Sequence, residues 1–284
     1  MSDELRPLWD FGDLDASESR FTERLDAEED DGVRAELLTQ LARVAGLRGD
    51  FEQGEDRLCE AETLASSSPR AGVRVDLERG RLLNSGGSPE TALPLFVRAT
   101  EAAEEQGELF IAADSAHMAA IAASTREERL AWTRHGIEIA ESGDGGRYWV
   151  GPLLNNLGWD QYEAGEHEAA LASFEQALAH RLEDPDNREA IAFGRYGVAK
   201  AQQALGRHAE AAEQLELAIA WTEAEGAPDG WYHEALAESA AALGRRDEAQ
   251  HNAELALSLL PDADPSFADD GERVGRLRGL AGTR

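Results

Sequence analysis

The hydrophobic and polar pattern of this chain repeats along its length. Each repeat consists of two helical stretches, rich in alanine and leucine, that are joined by a small residue typical of a turn. The turn residues lie at intervals of 38, 37, 41, 41 and 38 residues and are Gly49, Gly87, Ser124, Gly165, Gly206 and Gly244. A near-constant period of this length predicts six stacked helical hairpins.

Side-chain size repeats in register with the turn. Small residues recur seven residues before it and five and twelve after it, as at Gly158, Ala170 and Ala177, and a bulky residue such as Phe174 stands nine after it. Small residues let two antiparallel helices approach closely, and the bulky residue fills the gap between them. The turn glycine relieves the backbone where the first helix stops. A single hairpin cannot bury its apolar faces, so hairpins stack.

This pattern resembles the tetratricopeptide repeat family. The clearest copy carries Leu154, Leu157-Gly158, Gly165, Ala170-Leu171, Phe174 and Ala177-Leu178. The resemblance covers about residues 35–263 and implies an all-α fold, a right-handed α-α superhelix (solenoid) of about six hairpins. The intervals exceed the family's usual length of about 34 residues. The third copy also departs from the family, with His117, Arg129 and Thr133 at small or bulky positions.

The chain ends differ from the repeats, as the caps of a solenoid should. We expect residues 1–34 to form a capping segment with one helix from about Asp15, preceded by aromatic residues that fold onto the first hairpin. Residues 264–284 are expected to form a second capping helix and a tail. The extra residues of the longer intervals are predicted to fall in the turn-rich segments 143–146 and 182–188.

The negative net charge of the chain limits the classes of molecule that we expect it to bind. The chain has 57 acidic and 27 basic residues, a formal net charge of −30. Such a surface repels phosphate, so we expect neither nucleic acid nor membrane as a partner. The start, Met1-Ser2-Asp3-Glu4, is acidic where a signal peptide is basic, and no apolar run approaches the roughly 18 residues of a membrane helix. The expected location is the cytoplasm.

Residues that carry catalytic chemistry are scattered. Cys59 is the one cysteine, so no internal disulfide can form, and it is expected to be a small buried filler. The seven histidines include no pair with metal-binding spacing on one helix face. We therefore predict no catalytic residue, no metal and no cofactor.

The family resemblance implies that the first helices of the hairpins line a concave groove. Residues ten, six and three before each turn share one helical stripe, and the row six before the turn holds three cations in an acidic chain. Aromatic residues cluster at the middle of the stripe. The candidate groove residues are Arg43, Arg81, Asn84, Met118, Asn155, Asn156, Trp159, Tyr162, Tyr196 and Lys200.

The favoured hypothesis is a non-catalytic scaffold or adaptor that binds an acidic, partly aromatic or apolar segment of another protein. The alternative for the groove is structural: Trp159 and Tyr162 half-buried between repeats, and cations that balance local acids such as Glu78. Two further functions stay open. One is a peptide-sensing regulator that acts through a separate output partner. The other is an enzyme, against which the absence of a positioned nucleophile, base or metal set argues. The oligomeric state does not follow from the sequence.

Overall fold

The computed structural model describes residues 4–282, and the acidic start at 1–3 and the tail end at 283–284 lie outside them. This part of the chain contains fourteen α-helices and no strand. The helices are α1 (Leu14–Ala27), α2 (Asp31–Leu47), α3 (Phe51–Leu64), α4 (Pro69–Ser85), α5 (Pro89–Gln106), α6 (Leu109–Ala122), α7 (Arg126–Glu141), α8 (Val150–Glu163), α9 (His167–Arg181), α10 (Arg188–Ala204), α11 (His208–Ala224), α12 (Gly230–Ala242), α13 (Arg246–Ala263) and α14 (Gly271–Leu280).

The helices fall into two compact units, one ending at Leu153 and the other beginning at Leu154, so that the boundary lies within α8. In the first unit α2 packs on α3, α4 on α5 and α6 on α7. In the second unit α10 packs on α11 and α12 on α13. The all-α hairpin architecture predicted from the repeat is therefore confirmed.

Left-handed glycines end the first helix of most hairpins. Five of the six predicted turn residues are glycines with φ between 73° and 84°, a region that costs a side chain energy. The third hairpin turns differently. There Ala123 is extended, and the Thr125 hydroxyl accepts the Glu128 N–H at 3.2 Å to cap α7. Ser124 can therefore replace glycine because this turn needs no left-handed residue.

A buried phenylalanine fills the gap between close helices. The Phe174 ring of α9 lies against Gly158 of α8 and Gly197 of α10 and is fully buried. A Cβ atom added at Gly158 would lie 2.6 Å from the ring, and one at Gly197 would lie 2.8 Å from it. In the first unit Phe96 packs in the same way on Gly80. The predicted alternation of small and bulky residues is confirmed.

One α-helix lies outside the hairpins near each end of the described residues, α1 and α14. Helix α1 begins at Leu14, after Asp13 accepts the Ala16 N–H, and the preceding Trp9 packs edge-on against Phe21 at 5.1 Å. At the other end, Leu277 of α14 is fully buried in a cluster with residues of α12 and α13. The turn-rich segments 143–146 and 182–188 lie mainly between helices, which accounts for the longer intervals.

One expectation from the sequence is wrong. Cys59 is exposed on α3, where its thiol lies 3.6 Å from the Glu55 carboxylate. It occupies the solvent side of α3, and the buried side carries Leu58 and Ala61 instead. No α-helix within residues 4–282 is long and apolar enough to cross a membrane.

Substitution of Gly158 tests the close helix packing. We expect Gly158→Ala to lower the free energy of unfolding by about 1–3 kcal/mol, because glycines on both sides hold the Phe174 ring and the new methyl group would overlap it. Gly72→Ala is the matched control, since Gly72 lies within α4 and has open space around it. That change should stabilise the protein by up to about 1 kcal/mol. Urea unfolding measures both, and equal effects would contradict this account of the packing.

Candidate functional site

The predicted groove residues lie on the first helices of the hairpins, and each unit presents its own set. We call the surface of α2, α4 and α6 the unit 1 face and the surface of α8 from Leu154, α10 and α12 the unit 2 face. The unit 1 face carries Arg43, Arg81, Asn84 and Met118. The unit 2 face carries Asn155, Asn156, Trp159, Tyr162, Tyr196 and Lys200.

Arg81 of the unit 1 face is paired with two acidic side chains. Its guanidinium donates to Glu78 Oε1 at 2.5 Å and to the Asp114 carboxylate. Burial lowers the pKa of Arg81, but the charges of Asp114 and Glu78 outweigh burial, so the pKa lies above its usual value. The charge of Arg81 is thus balanced within the protein, as the structural alternative expected.

Arg43 has a different environment. Its side chain is half-buried, and no carboxylate among residues 4–282 lies within 4.0 Å of the guanidinium. The guanidinium instead lies 5.2 Å from the Trp9 ring and 5.3 Å from the Phe11 ring. Burial, and then the positive charge of Arg81, lower the pKa of Arg43. Arg43 is therefore a cation held by aromatic rings.

The segment before α1 covers part of the unit 1 face. Trp9 and Phe11 stack with ring centroids 4.7 Å apart, and the Trp9 indole N–H donates to Gln40 Oε1 at 2.9 Å. Arg6 lies over the Tyr148 ring with its Cζ 3.7 Å from the centroid. We call residues 4–12 the amino-terminal segment. The sequence predicted that its aromatic residues fold onto the first hairpin, but gave no sign that they cover Arg43.

Met118 and Asn84 complete the candidate residues of the unit 1 face. Met118 is half-buried and packs against the hydrophobic core of the unit. Asn84 is half-buried near the end of α4. Next to Met118, the His117 ring lies 5.1 Å from the Trp149 ring. Burial lowers the pKa of His117 to about 4.

Aromatic side chains form a row on the unit 2 face. The Trp159 ring lies 5.6 Å from Tyr162 and 6.0 Å from Tyr196, and Tyr196 lies 5.2 Å from Tyr232. Trp159 also packs edge-on against the buried Phe174. Burial raises the pKa of Tyr162 and Tyr196, so both phenols stay protonated at neutral pH. The sequence stripe missed Tyr232, which lies twelve residues before its turn glycine and so two residues outside the positions that we compared.

Lys200 lies close to this aromatic row. Its Nζ is 3.9 Å from Glu238 Oε2, a long ion pair, and the side chain is 22% exposed. Glu238 is also held by Arg276 of α14, whose Nε lies 2.8 Å from Oε1. The charge of Lys200 is therefore only weakly compensated, in contrast to that of Arg81.

The two asparagines differ in exposure. Asn155 is buried, 5% exposed, and its Oδ1 has no hydrogen-bond partner among the described residues. Asn156 is half-buried. No group of three or more histidine, cysteine, aspartate or glutamate side chains within residues 4–282 is arranged to hold a metal ion.

Comparison with known proteins identifies the repeat. The tetratricopeptide repeat family model matches residues 35–58, 152–176, 192–216 and 230–250. The chain contains tetratricopeptide repeats. The matches lie in the first, fourth, fifth and sixth hairpins and leave out the second and third, of which the third carries the departures at His117, Arg129 and Thr133.

Solved structures share the fold of this chain at low identity. RapI in its apo form aligns at 13% identity with a TM-score of 0.71, over 95% of this chain and 76% of RapI. BtubC from P. vanneervenii aligns at 20% identity with a TM-score of 0.62, over 80% of this chain and 94% of BtubC. A Rap protein complexed with Competence and Sporulation Factor aligns at 17% identity with a TM-score of 0.56, over 97% and 82%. A search of curated proteins finds no match.

The half-buried His117, whose pKa is lowered by desolvation, predicts a pH dependence of stability. Its folded-state pKa lies below the usual value of 6.5, so the unfolded chain takes up the proton first as the pH falls. Stability should therefore decrease between about pH 6.5 and 4. We expect the wild type to lose up to about 3 kcal/mol more than His117→Gln between pH 7 and 4.

Denaturant unfolding at each pH measures this difference. His251→Gln is the control, because His251 is exposed on α13 and its replacement should leave the pH dependence of the wild type unchanged. A His117→Gln variant with the same pH dependence as the wild type would contradict the assignment.

Proposed function

We propose that this protein is a non-catalytic scaffold that binds segments of partner polypeptides on its first-helix faces. The observation that carries the proposal is the half-buried aromatic row of the unit 2 face, Trp159, Tyr162 and Tyr196, next to the weakly compensated Lys200. Aromatic side chains supply large, rigid contact area at binding surfaces. The repeat family supports protein binding over catalysis.

The chemistry of the face defines the ligand. The exposed parts of Trp159 and Tyr196 favour an apolar or aromatic side chain, and Lys200 favours a carboxylate. The nearby Glu234 does not cancel this preference, because Arg273 of α14 binds it through Nε at 2.8 Å. An acidic segment with aromatic or apolar residues is therefore the proposed partner, and its charge would also steer it toward the one lysine of the chain.

The amino-terminal segment supports the same chemistry on the unit 1 face. Trp9 and Phe11 occupy this face within the chain itself, and both rings contact Arg43. A partner segment with aromatic side chains would make equivalent contacts once the amino-terminal segment moved away. The contacts of Arg6 and Trp9, the buried Leu5 and the hydrogen bonds that Leu8 and Asp10 make with α1 oppose that movement. The face is thus proposed to be closed in the free protein and open in the complex.

The second candidate function is a peptide-sensing regulator with a separate output partner. The amino-terminal segment favours it, because a ligand that displaces this segment would change the surface that the protein presents. One fold relative, the Rap protein, was solved in complex with Competence and Sporulation Factor. In a regulator, a short peptide would alter the binding of a second protein, whereas in a scaffold each partner would bind independently of the other.

Variants of the unit 2 face test the scaffold proposal. We expect Trp159→Ala/Lys200→Glu to lose partner proteins in affinity purification from the native cell, because both the aromatic anchor and the cation are removed. Lys200→Glu alone should lose the partners whose capture by the wild type weakens as salt is raised. Arg207→Glu, on an exposed turn after α10, is the matched charge control and should keep them. Mass spectrometry compares the captured proteins, and identical sets from wild type and double variant would refute the proposal.

Displacement of the amino-terminal segment gives a separate prediction. Phe11→Ala removes one ring from Arg43 and a side chain that is 54% exposed, so it should loosen the segment and leave the core intact. Partners of the unit 1 face should then bind several-fold more tightly, because less free energy opposes opening. Leu47→Ala, at a similarly exposed leucine on α2, is the control. Unchanged partner affinity in Phe11→Ala, measured by calorimetry, would show that the segment does not compete.

A further inference from the structure

A small cleft lies between the first half of α10 and the second half of α11. The two helices are antiparallel, so the start of one faces the end of the other. The cleft has a volume of about 300 Å³, and its apolar wall is formed by Ile191, Leu217 and Trp221 together with small alanines. Two arginines, Arg188 and Arg195, complete the lining. The cleft is open to solvent on one side.

Both arginines lack an acidic partner. Within residues 4–282, no carboxylate lies within 4.0 Å of the guanidinium of Arg188 or Arg195. Arg195 donates from Nη1 to the neutral Gln214 Oε1 at 2.7 Å, which orients the guanidinium without neutralising it. Burial lowers the pKa of Arg195. The cleft therefore contains positive charge that the protein does not compensate.

This arrangement differs from that of several arginines elsewhere in the described residues. Arg81, Arg98 and Arg273 each contact a carboxylate, as expected where 57 acidic residues face 27 basic ones. The cleft instead brings two arginines without an acidic partner together beside one apolar wall. Arg188 is exposed, and Arg195 is half-buried. A half-buried, unpaired cation such as Arg195 stabilises a bound anion more than an exposed one, because less solvent screens the interaction.

The apolar wall is exposed more than folding requires. Leu217 is 54% exposed, and Trp221 is half-buried at the edge of the core. The opposite side of α11, with Leu215 and Ala218, already supplies the buried contacts of this helix. An exposed leucine and a tryptophan edge beside two cations leave apolar surface that an amphipathic ligand would cover.

We propose that this cleft binds an organic acid, a carboxylate on a compact aromatic or branched aliphatic body. The carboxylate pairs with Arg188 and Arg195, and the body packs on Leu217 and Trp221. Small-molecule sites in proteins are mostly apolar with a few convergent polar groups, and their volumes begin at about 300 Å³. An inorganic anion would leave the apolar wall uncovered. The site is independent of the two first-helix faces.

The test uses 3-phenylpropionate as the probe and its neutral amide as the matched ligand. Calorimetry with the full chain should show that the acid binds about tenfold more tightly than the amide, since only the acid makes charged hydrogen bonds to the arginines. Arg188→Gln/Arg195→Gln should abolish this preference and leave weak, equal binding of both ligands. Leu217→Glu places a carboxylate in the cleft and should also abolish binding of the acid.

Arg207→Gln is the matched control, because Arg207 is an exposed arginine between the same two helices and lies outside the cleft lining. It should bind the acid as the wild type does. Circular dichroism verifies that each variant keeps its helices. Equal binding of acid and amide to the wild type would overturn the proposal, as would an equal loss in Arg207→Gln. No binding of either ligand would overturn it as well.

Discussion

The close approach of neighbouring helices is the constraint on which this structure depends. Glycine and alanine remove side-chain bulk where helices meet, and in four of the six repeats a buried phenylalanine or leucine fills the remaining space, namely Leu58, Phe96, Phe174 and Leu215. Around Phe174 the fit is tight enough that a single methyl group at Gly158 or Gly197 would overlap the ring. This packing fixes the register of each first helix, and the register decides which side chains reach the two first-helix faces.

Ion pairs distinguish the charged residues that stabilise the fold from the charged residues that remain available to bind a partner. In a chain with net charge −30, carboxylates are plentiful, and many arginines of the described residues acquire one or two as partners. Arg81 and Arg273 are held in this way by buried acids, so they contribute to structure. Arg43, Lys200 and the two cleft arginines are weakly compensated, and they lie beside aromatic or apolar surface. Weakly compensated cations beside exposed apolar surface are typical of binding sites, and this combination indicates binding here.

The repeat could be predicted from the sequence because its determinants are local. Turn glycines and the alternation of small and bulky residues have a fixed spacing, so the hairpins and their loops followed from counting. The turn at Ser124 is the exception. There Thr125 caps the following helix, and the spacing of turn residues does not reveal such a cap. The sequence could not show which candidate groove residues pair with other side chains of the protein and which remain available to bind a ligand. Whether Arg81 meets Asp114, or Arg43 meets Trp9, depends on contacts between residues 33 or 34 positions apart, and no spacing rule reports them.

Cys59 illustrates the same limit in a single residue. Its place on a second helix suggested burial, but the direction in which a side chain points depends on the rotation of the helix, and α3 turns Leu58 inward instead. The cleft between α10 and α11 could not be predicted from the sequence for a related reason. Its residues come from two helices, and neither helix alone carries a recognisable motif.

Hydroxyl-radical footprinting with a captured cellular partner tests the central claim most directly. Oxidation of Trp159 and Tyr196, read by mass spectrometry, reports how far solvent reaches the unit 2 face. We predict that both side chains are protected when the partner is bound, and that the exposed Leu182, beyond the end of α9, keeps its oxidation rate. Protection confined to other helices, with Trp159 and Tyr196 unchanged, would contradict the account.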